Sequence, residues 1–276
     1  MSMATIFAES RQLPHIPKVV QELIESFRDE NANADEISRK VAMDQALTAK
    51  VLRLANSAHY GLSRQVSSPQ DAIVLLGLST LRTMVLASGV TSAIKMPAGV
   101  DPKAFWRDSF SVASLAKWLA KYMPDCDKET AFTCGMLHSI GSMLIHVVMP
   151  EEASRIEDAV RLGSQRHTAE QAQLGFTSAE VGAELAKRWK FPSEIQQAIH
   201  DQCNPELEQP FSNLGGLLHI AKFLHCAHEA DMSEEELVKK FPVRTARQIG
   251  LDLREIRNAL EECRDLQSGF EEILGD

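Results

Sequence analysis

The stretch Cys134-Gly-Met-Leu-His-Ser-Ile-Gly-Ser-Met-Leu144 places His138 on an apolar helical run, with Gly141 three positions later. An aspartate directly after that histidine would make an adjacent His-Asp pair, an imidazole nitrogen and a hard carboxylate oxygen offered to one divalent cation. Position 139 is Ser, a weak neutral ligand. A second histidine-rich run is His219-Ile-Ala-Lys-Phe-Leu-His225-Cys-Ala-His228. His225 and His228, three apart, share a helix face, and His219 lies off it. Two neutral imidazoles alone make a weak metal site, and the run reads as a half-buried helix with polar edges. Cys134 and His138, four apart, have the spacing of a nucleophile and its base. Nothing nearby supplies an orienting acid or a cationic pocket, so Cys134 reads as a small core residue. The pair Asn56-Ser57 offers either local bonds to the backbone before Tyr60-Gly61 or a contact for a partner. No glycine-rich phosphate loop and no HExxH is present.

The elements that must hold these residues read as helices. Ala, Leu, Glu, Gln and Lys dominate, and no alternating Val/Ile/Thr stretch with hairpin turns stands out. In residues 44–61, Leu47, Val51, Leu54 and Ala58 build one apolar face, with Gly61 as a C-terminal stop. Ser68-Pro69-Gln70-Asp71 supplies an N-cap, a proline at the first helical position and an acid in the first turn. Ala72, Ile73 and Leu76 follow as the inner face, and Gly77 closes it. The proline- and glycine-containing stretch between Lys95 and Pro102 marks a subdomain boundary. A second helical series runs from Ala104, with FWRDSFSVASLAKWLAKYM, KETAFTCGMLHSIGSMLIHVV, a segment from Glu151 to about Gln165, SAEVGAELAKRWKF and PSEIQQAIHDQ. Cys203 to Pro210 reads as loop, followed by NLGGLLHIAKFLHCAHEA and a charged tail region. Trp106, Trp118 and Trp189 read as core.

Bulk properties narrow the function. The chain has 276 residues, of which 44% are apolar and 24% charged, an ordinary globular balance able to bury a sizeable core. A net charge of −9 without a basic run argues against nonspecific nucleic-acid binding, which rests on clustered Lys and Arg. The N-terminus lacks the charged and apolar regions of a signal peptide, and no apolar run is expected to span a bilayer. Five scattered cysteines without a CxxC fit free thiols in a reducing, cytoplasmic setting.

The order of LPHIPKVVQELIE, DQALTAKVLRLANSAHYG, SSPQDAIVLLGLSTLR, FWRDSFSVASLAKWLA, AFTCGMLHSIGSMLI and SAEVGAELAKRWKFPSEIQQAI resembles the HDOD domain, the "HD-related output domain" of bacterial signalling. The combination of LxxANSAxYG with SPxxAIxxLG is specific, whereas HxxG alone carries little. The resemblance implies an all-α fold over residues 6–205. An N-terminal helical subdomain (6–97) would pack on a subdomain shaped like an HD phosphohydrolase (102–205), with residues 206–276 as a helical extension. In HD hydrolases several histidines and aspartates surround one or two metals. Motif by motif, those positions fall at or beside Asp108, at His138 and Ser139, at Ser178, near Gln202 and Cys203, and at Lys222. His138 is the one ligand kept outright, and a lysine stands where a dication would sit. The implied expectations are a vestigial pocket of Asp108, His138, Ser139, Ser178 and Lys222, with no catalytic residue, no metal and no cofactor. His138 would bond a neighbour such as Asp108, and Lys222 would pair with Asp108. Function would be non-catalytic signal transduction through a protein partner. Two other readings stand beside it: a divalent-metal phosphohydrolase acting on nucleotides or cyclic dinucleotides, and a sensor of a small anionic ligand in the old cavity.

Overall fold

A computed structural model describes residues 3–8, 14–25, 34–57, 60, 62, 64–94, 96 and 100–258. Among these the chain is helical, with no strand. The helices are α1 Met3–Ala8, α2 Lys18–Glu25, α3 Ala34–Met43, α4 Gln45–Ala55, α5 Pro69–Leu76, α6 Leu78–Ala93, α7 Pro102–Leu119, α8 Lys128–Leu137 and α9 Ile140–Val148. They continue as α10 Pro150–Arg161, α11 Arg166–Leu174, α12 Ser178–Arg188, α13 Ser193–Asp201, α14 Asn213–Glu229, α15 Glu234–Lys240, α16 Val243–Gln248 and α17 Leu253–Asn258.

Side chains that satisfy orphan backbone donors set where many of these helices start. The Asp44 carboxylate accepts from Leu47 N–H, and the Ser68 hydroxyl accepts from Asp71 N–H ahead of Pro69. Asp101 caps α7 before Pro102, Asp127 caps α8, and Thr177 with Glu180 forms a reciprocal capping box on α12. Gly77, at φ +88°, joins α5 to α6. Helix α4 ends at Asn56, earlier than its sequence suggests; Ala58 and Gly61 lie outside the described residues. Leu47, Val51, Leu54 and Ala72 are buried as their spacing requires.

Small residues let the helices carrying the site approach closely. On α7, Ser109, Ser111, Ala113, Ser114 and Ala116 are buried between Trp106, Phe110 and Trp118. A Cβ on Gly135 of α8 would stand 2.3 Å from the Ala113 Cα, so the two backbones touch there. A Cβ on Gly141 of α9 would stand 1.9 Å from the Ser178 carbonyl oxygen at the start of α12. That contact is the structural reason for a glycine three residues after His138. Helix α6 packs against α2, α4, α5 and α8. The chain start also reaches across: Trp189 Nε1–H donates to the Pro14 carbonyl at 3.2 Å.

Two sequence expectations need correction. The apolar stretch Lys128–Val148 is long and apolar enough, by length and composition, to cross a bilayer. Most of it is instead buried inside the protein, and it is two helices rather than one. The ladder breaks at His138 and Ser139, where Ser139 adopts φ −108° and ψ 2°. Residues 203–210, expected as loop, contain a 3-10 turn over Pro205–Leu207.

Candidate functional site

The break between α8 and α9 puts His138 at the last turn of α8, facing α13 and α14. Its Nδ1 lies 2.7 Å from the Gly135 carbonyl oxygen. A carbonyl only accepts, so Nδ1 carries the proton and Nε2 keeps a lone pair. Protein atoms surround the ring although the residue keeps some exposed surface. That burial, with the Lys222 ammonium as second cause, pushes the imidazole pKa down to about 3. His138 is therefore neutral across the physiological range.

A buried amide organises the surroundings. Gln202, 2% exposed at the end of α13, donates from Nε2 to the His138 carbonyl at 3.0 Å and to the Ile199 carbonyl at 2.8 Å. Its Oε1 accepts from Lys222 Nζ at 2.8 Å, and its own carbonyl accepts from His219 Nδ1 at 2.9 Å. Gln202 thus latches α8, α13 and α14 together through four polar contacts. Lys222 is committed to this amide, so the expected Lys222–Asp108 pair is not formed. Gln202 presents its oxygen directly to the ammonium, and the Asp108 carboxylate lies nearest Arg107 and His225 instead.

Asp108 on α7 lies 3.6 Å from the Arg107 guanidinium and 3.9 Å from His225 Nε2. Its Oδ1 is buried without a hydrogen bond, as is Nδ1 of His225, a residue 8% exposed. Desolvation raises the Asp108 pKa against the pull of His225, and desolvation lowers that of His225. His138 bonds Gly135, not Asp108, because its own preceding turn offers the nearest acceptor.

The two serines are occupied locally. The Ser139 hydroxyl sits 3.1 Å from the Ser109 hydroxyl. Ser178 donates its backbone N–H and its hydroxyl to the same oxygen of buried Glu170, at 2.7 and 2.9 Å. Asn56 clamps the turn ahead of α5: its amide donates to the Leu52 and Val66 carbonyls, each at 2.8 Å, and accepts from Val66 N–H at 2.7 Å. Ser57 Oγ donates to the Leu54 carbonyl at 2.7 Å.

The structure therefore brings together His138, Gln202 and Lys222, sets Asp108 beside His225, and ties Ser178 to α11. In the sequence His225 reads as no more than a polar helix edge. Its position three residues after Lys222 puts both on one face of α14, the signal that could have found it. Glu170 and the Gly135 carbonyl had no such signal, since their roles depend on contacts between separate turns.

A divalent cation needs several anionic or imidazole donors converging on one point. At the positions that match HD hydrolase ligands stand the Asp108 carboxylate, one imidazole lone pair, two engaged hydroxyls, an amide, the Cys203 thiol and an ammonium. At about 4 Å and an effective dielectric near 20, Lys222 would repel a dication by roughly 8 kcal/mol. Of this set only the Asp108 carboxylate and the His138 imidazole are ordinary ligands for such an ion.

Comparison with known proteins places the chain. The HDOD domain family model matches residues 13–205. A crystal structure from Shewanella amazonensis SB2B, provisionally named a phosphohydrolase, is 34% identical, with a TM-score of 0.83 over 99% of this chain and 98% of that one. A Marinobacter aquaeolei VT8 structure, provisionally named a signal transduction protein, is 23% identical with a TM-score of 0.80, over 97% of this chain and 60% of that one. At that identity the second likeness speaks to the fold alone. An uncharacterized protein of Treponema pallidum (strain Nichols) is 21% identical over 265 residues, 94% of this chain; the chain spans about half, 52%, of that curated relative's length.

Proposed function

The chain belongs to the HDOD domain family, and from that premise we propose that it is a regulatory module that works by binding, without hydrolytic chemistry. The observation that carries this reading is the Gln202 latch. It engages the ammonium of Lys222, the residue that motif order matches to an HD hydrolase's late aspartate, and its amide is spent on the His138 carbonyl. The polar groups kept at this centre bond each other and fix three helices. A chain built this way presents a shaped helical surface to a signalling partner.

His138→Ala separates binding module from hydrolase. In a module, the substitution orphans the Gly135 carbonyl and opens a void, which costs about 1–3 kcal/mol of stability. It would leave any metal-dependent phosphodiester hydrolysis by the preparation unchanged. In a hydrolase the same change would abolish turnover.

A second reading, ligand sensing, is favoured by one further observation. Asp108 Oδ1 and His225 Nδ1 are buried without hydrogen bonds. Such orphans are uncommon and call for a partner, either ordered water or a small molecule offering both a donor and an acceptor. A sensor would gain thermal stability from its ligand, and Asp108→Asn with His225→Phe would remove that gain.

A further inference from the structure

Away from the His138 centre, three metal-ligating side chains meet where the last turn of α13 faces the segment after the 3-10 turn. We propose that His200, Asp201 and Glu208 form a site for a divalent transition metal, zinc or one of its first-row neighbours. One ligand atom from each residue lies within 4.8 Å of the others. One imidazole nitrogen with two carboxylate oxygens is a donor set for zinc, iron(II) or manganese, and it is too nitrogenous for a calcium cage.

Asp201 is the enclosed member of the trio. Its side chain is 0% exposed, yet among the described residues the only titratable group within ion-pairing distance is His200, whose Nδ1 lies 2.8 Å from Oδ1. Among the described residues no lysine or arginine lies within ion-pairing distance of this enclosed carboxylate, so a bound cation would supply a charge that His200 supplies only when protonated. Gln197 Nε2 also donates to both of its oxygens, at 2.9 and 2.8 Å. That amide fixes the carboxylate's orientation from outside the three ligands and leaves its remaining lone pairs for an ion, as outer-shell groups do. The first turn of α14 closes the far side, since a Cβ on Gly215 would stand 3.1 Å from the Asp201 Cβ.

The geometry needs little movement. Two ligands at about 2.1 Å from one ion, at right angles, are about 3 Å apart, close to the His200–Asp201 separation. Glu208 is partly exposed and follows the 3-10 turn, so its carboxylate closes the remaining gap by rotation about its own bonds. A bound ion would staple the end of α13 to residue 208. Gln202 follows Asp201 directly, so the ion would also steady the latch under Lys222 and His138. The site uses none of the positions that match HD hydrolase ligands and stands independently of the binding-module reading.

The test uses the full chain, treated with chelator and titrated with cobalt(II) chloride alone while visible absorption is recorded. The expected result is saturation at one equivalent, with ligand-field bands and no thiolate charge-transfer band. His200→Ala and Glu208→Gln, both at exposed or partly exposed positions, should each weaken binding about tenfold or more; His138→Ala and His225→Ala should leave it within about twofold. A flat titration overturns the site and leaves the binding-module reading untouched. Loss of binding in Cys203→Ser, or a thiolate band, overturns it in favour of thiol capture. Loss in His138→Ala overturns it too, and counts against the binding-module reading as well.

Discussion

Replacing Gln202 by Leu keeps the side chain's size and removes every polar contact it makes. Gln202 is 2% exposed, so no water replaces what is lost. Lys222 loses its acceptor at 2.8 Å, a bond to a charged group, at roughly 1.5–3 kcal/mol. The His138 carbonyl loses its donor at 3.0 Å, at about 1 kcal/mol. The Ile199 carbonyl loses a second bond that a helix end can spare. Better apolar burial of Leu returns about 1 kcal/mol. The net loss is about 1.5–3 kcal/mol, or a fall in Tm of roughly 3–12 °C for a chain of this size. Urea unfolding followed by circular dichroism measures it, provided the slope with denaturant is unchanged. Lys222→Met alone should cost about 1 kcal/mol, the price of an orphaned amide oxygen. The double variant should show a coupling of about 1 kcal/mol or more between the two positions. A loss under about 0.5 kcal/mol for Gln202→Leu, or additivity in the double variant, would refute the idea that this amide is the latch of the site.

Three further outcomes follow from other contacts. The His138 ring should show no titration between pH 5 and 8 by NMR, because burial holds its pKa near 3. The folded pKa lies below the unfolded one near 6.5, so stability is full above pH 6.5 and falls as pH drops toward 3, by up to one proton's worth, about 1.4 kcal/mol per pH unit. His138→Asn should remove that share of the acid slope. His146 has the opposite sign: the Glu157 carboxylate raises its pKa, so its stabilisation is complete at low pH and fades as pH rises through the folded value, and Glu157→Gln should abolish that dependence in pH-dependent unfolding. Gly141→Ala sets a Cβ 1.9 Å from the Ser178 oxygen and 2.4 Å from the Gly182 nitrogen, both backbone atoms that cannot swing aside. It should cost about 3 kcal/mol or more, and a variant as stable as wild type in urea would show that α9 and α12 do not meet there.

Much of the fold was legible because its signals are local. A Ser-Pro pair opening α5, and the three- and four-residue spacing of Leu47, Val51 and Leu54, each depend on neighbours a few residues away. Aromatic Trp106 and Trp118 are buried, as their setting on α7 suggested. The break between α8 and α9 was not legible, since no proline marks it and Ser139 breaks the ladder through its own dihedral angles. The site itself was half legible. Motif order picked out His138 and Lys222, but their partners are a carbonyl one turn back and an amide twenty residues earlier. Pairing of Lys222 with Asp108 followed from charge alone, and charge does not say which oxygen lies nearer. Ser178 is held by Glu170 across a helix junction that no spacing rule describes.

Hydrolysis of bis(p-nitrophenyl) phosphate by the unmodified protein, with manganese(II), cobalt(II) or zinc(II) supplied in excess, tests the central claim most directly. The claim is that the His138 centre is a helix latch and not a hydrolytic metal site. The account predicts no turnover above the metal-only control for any of the three ions. Turnover that depends on one of them, and that disappears in His138→Ala while the variant remains folded, would contradict it.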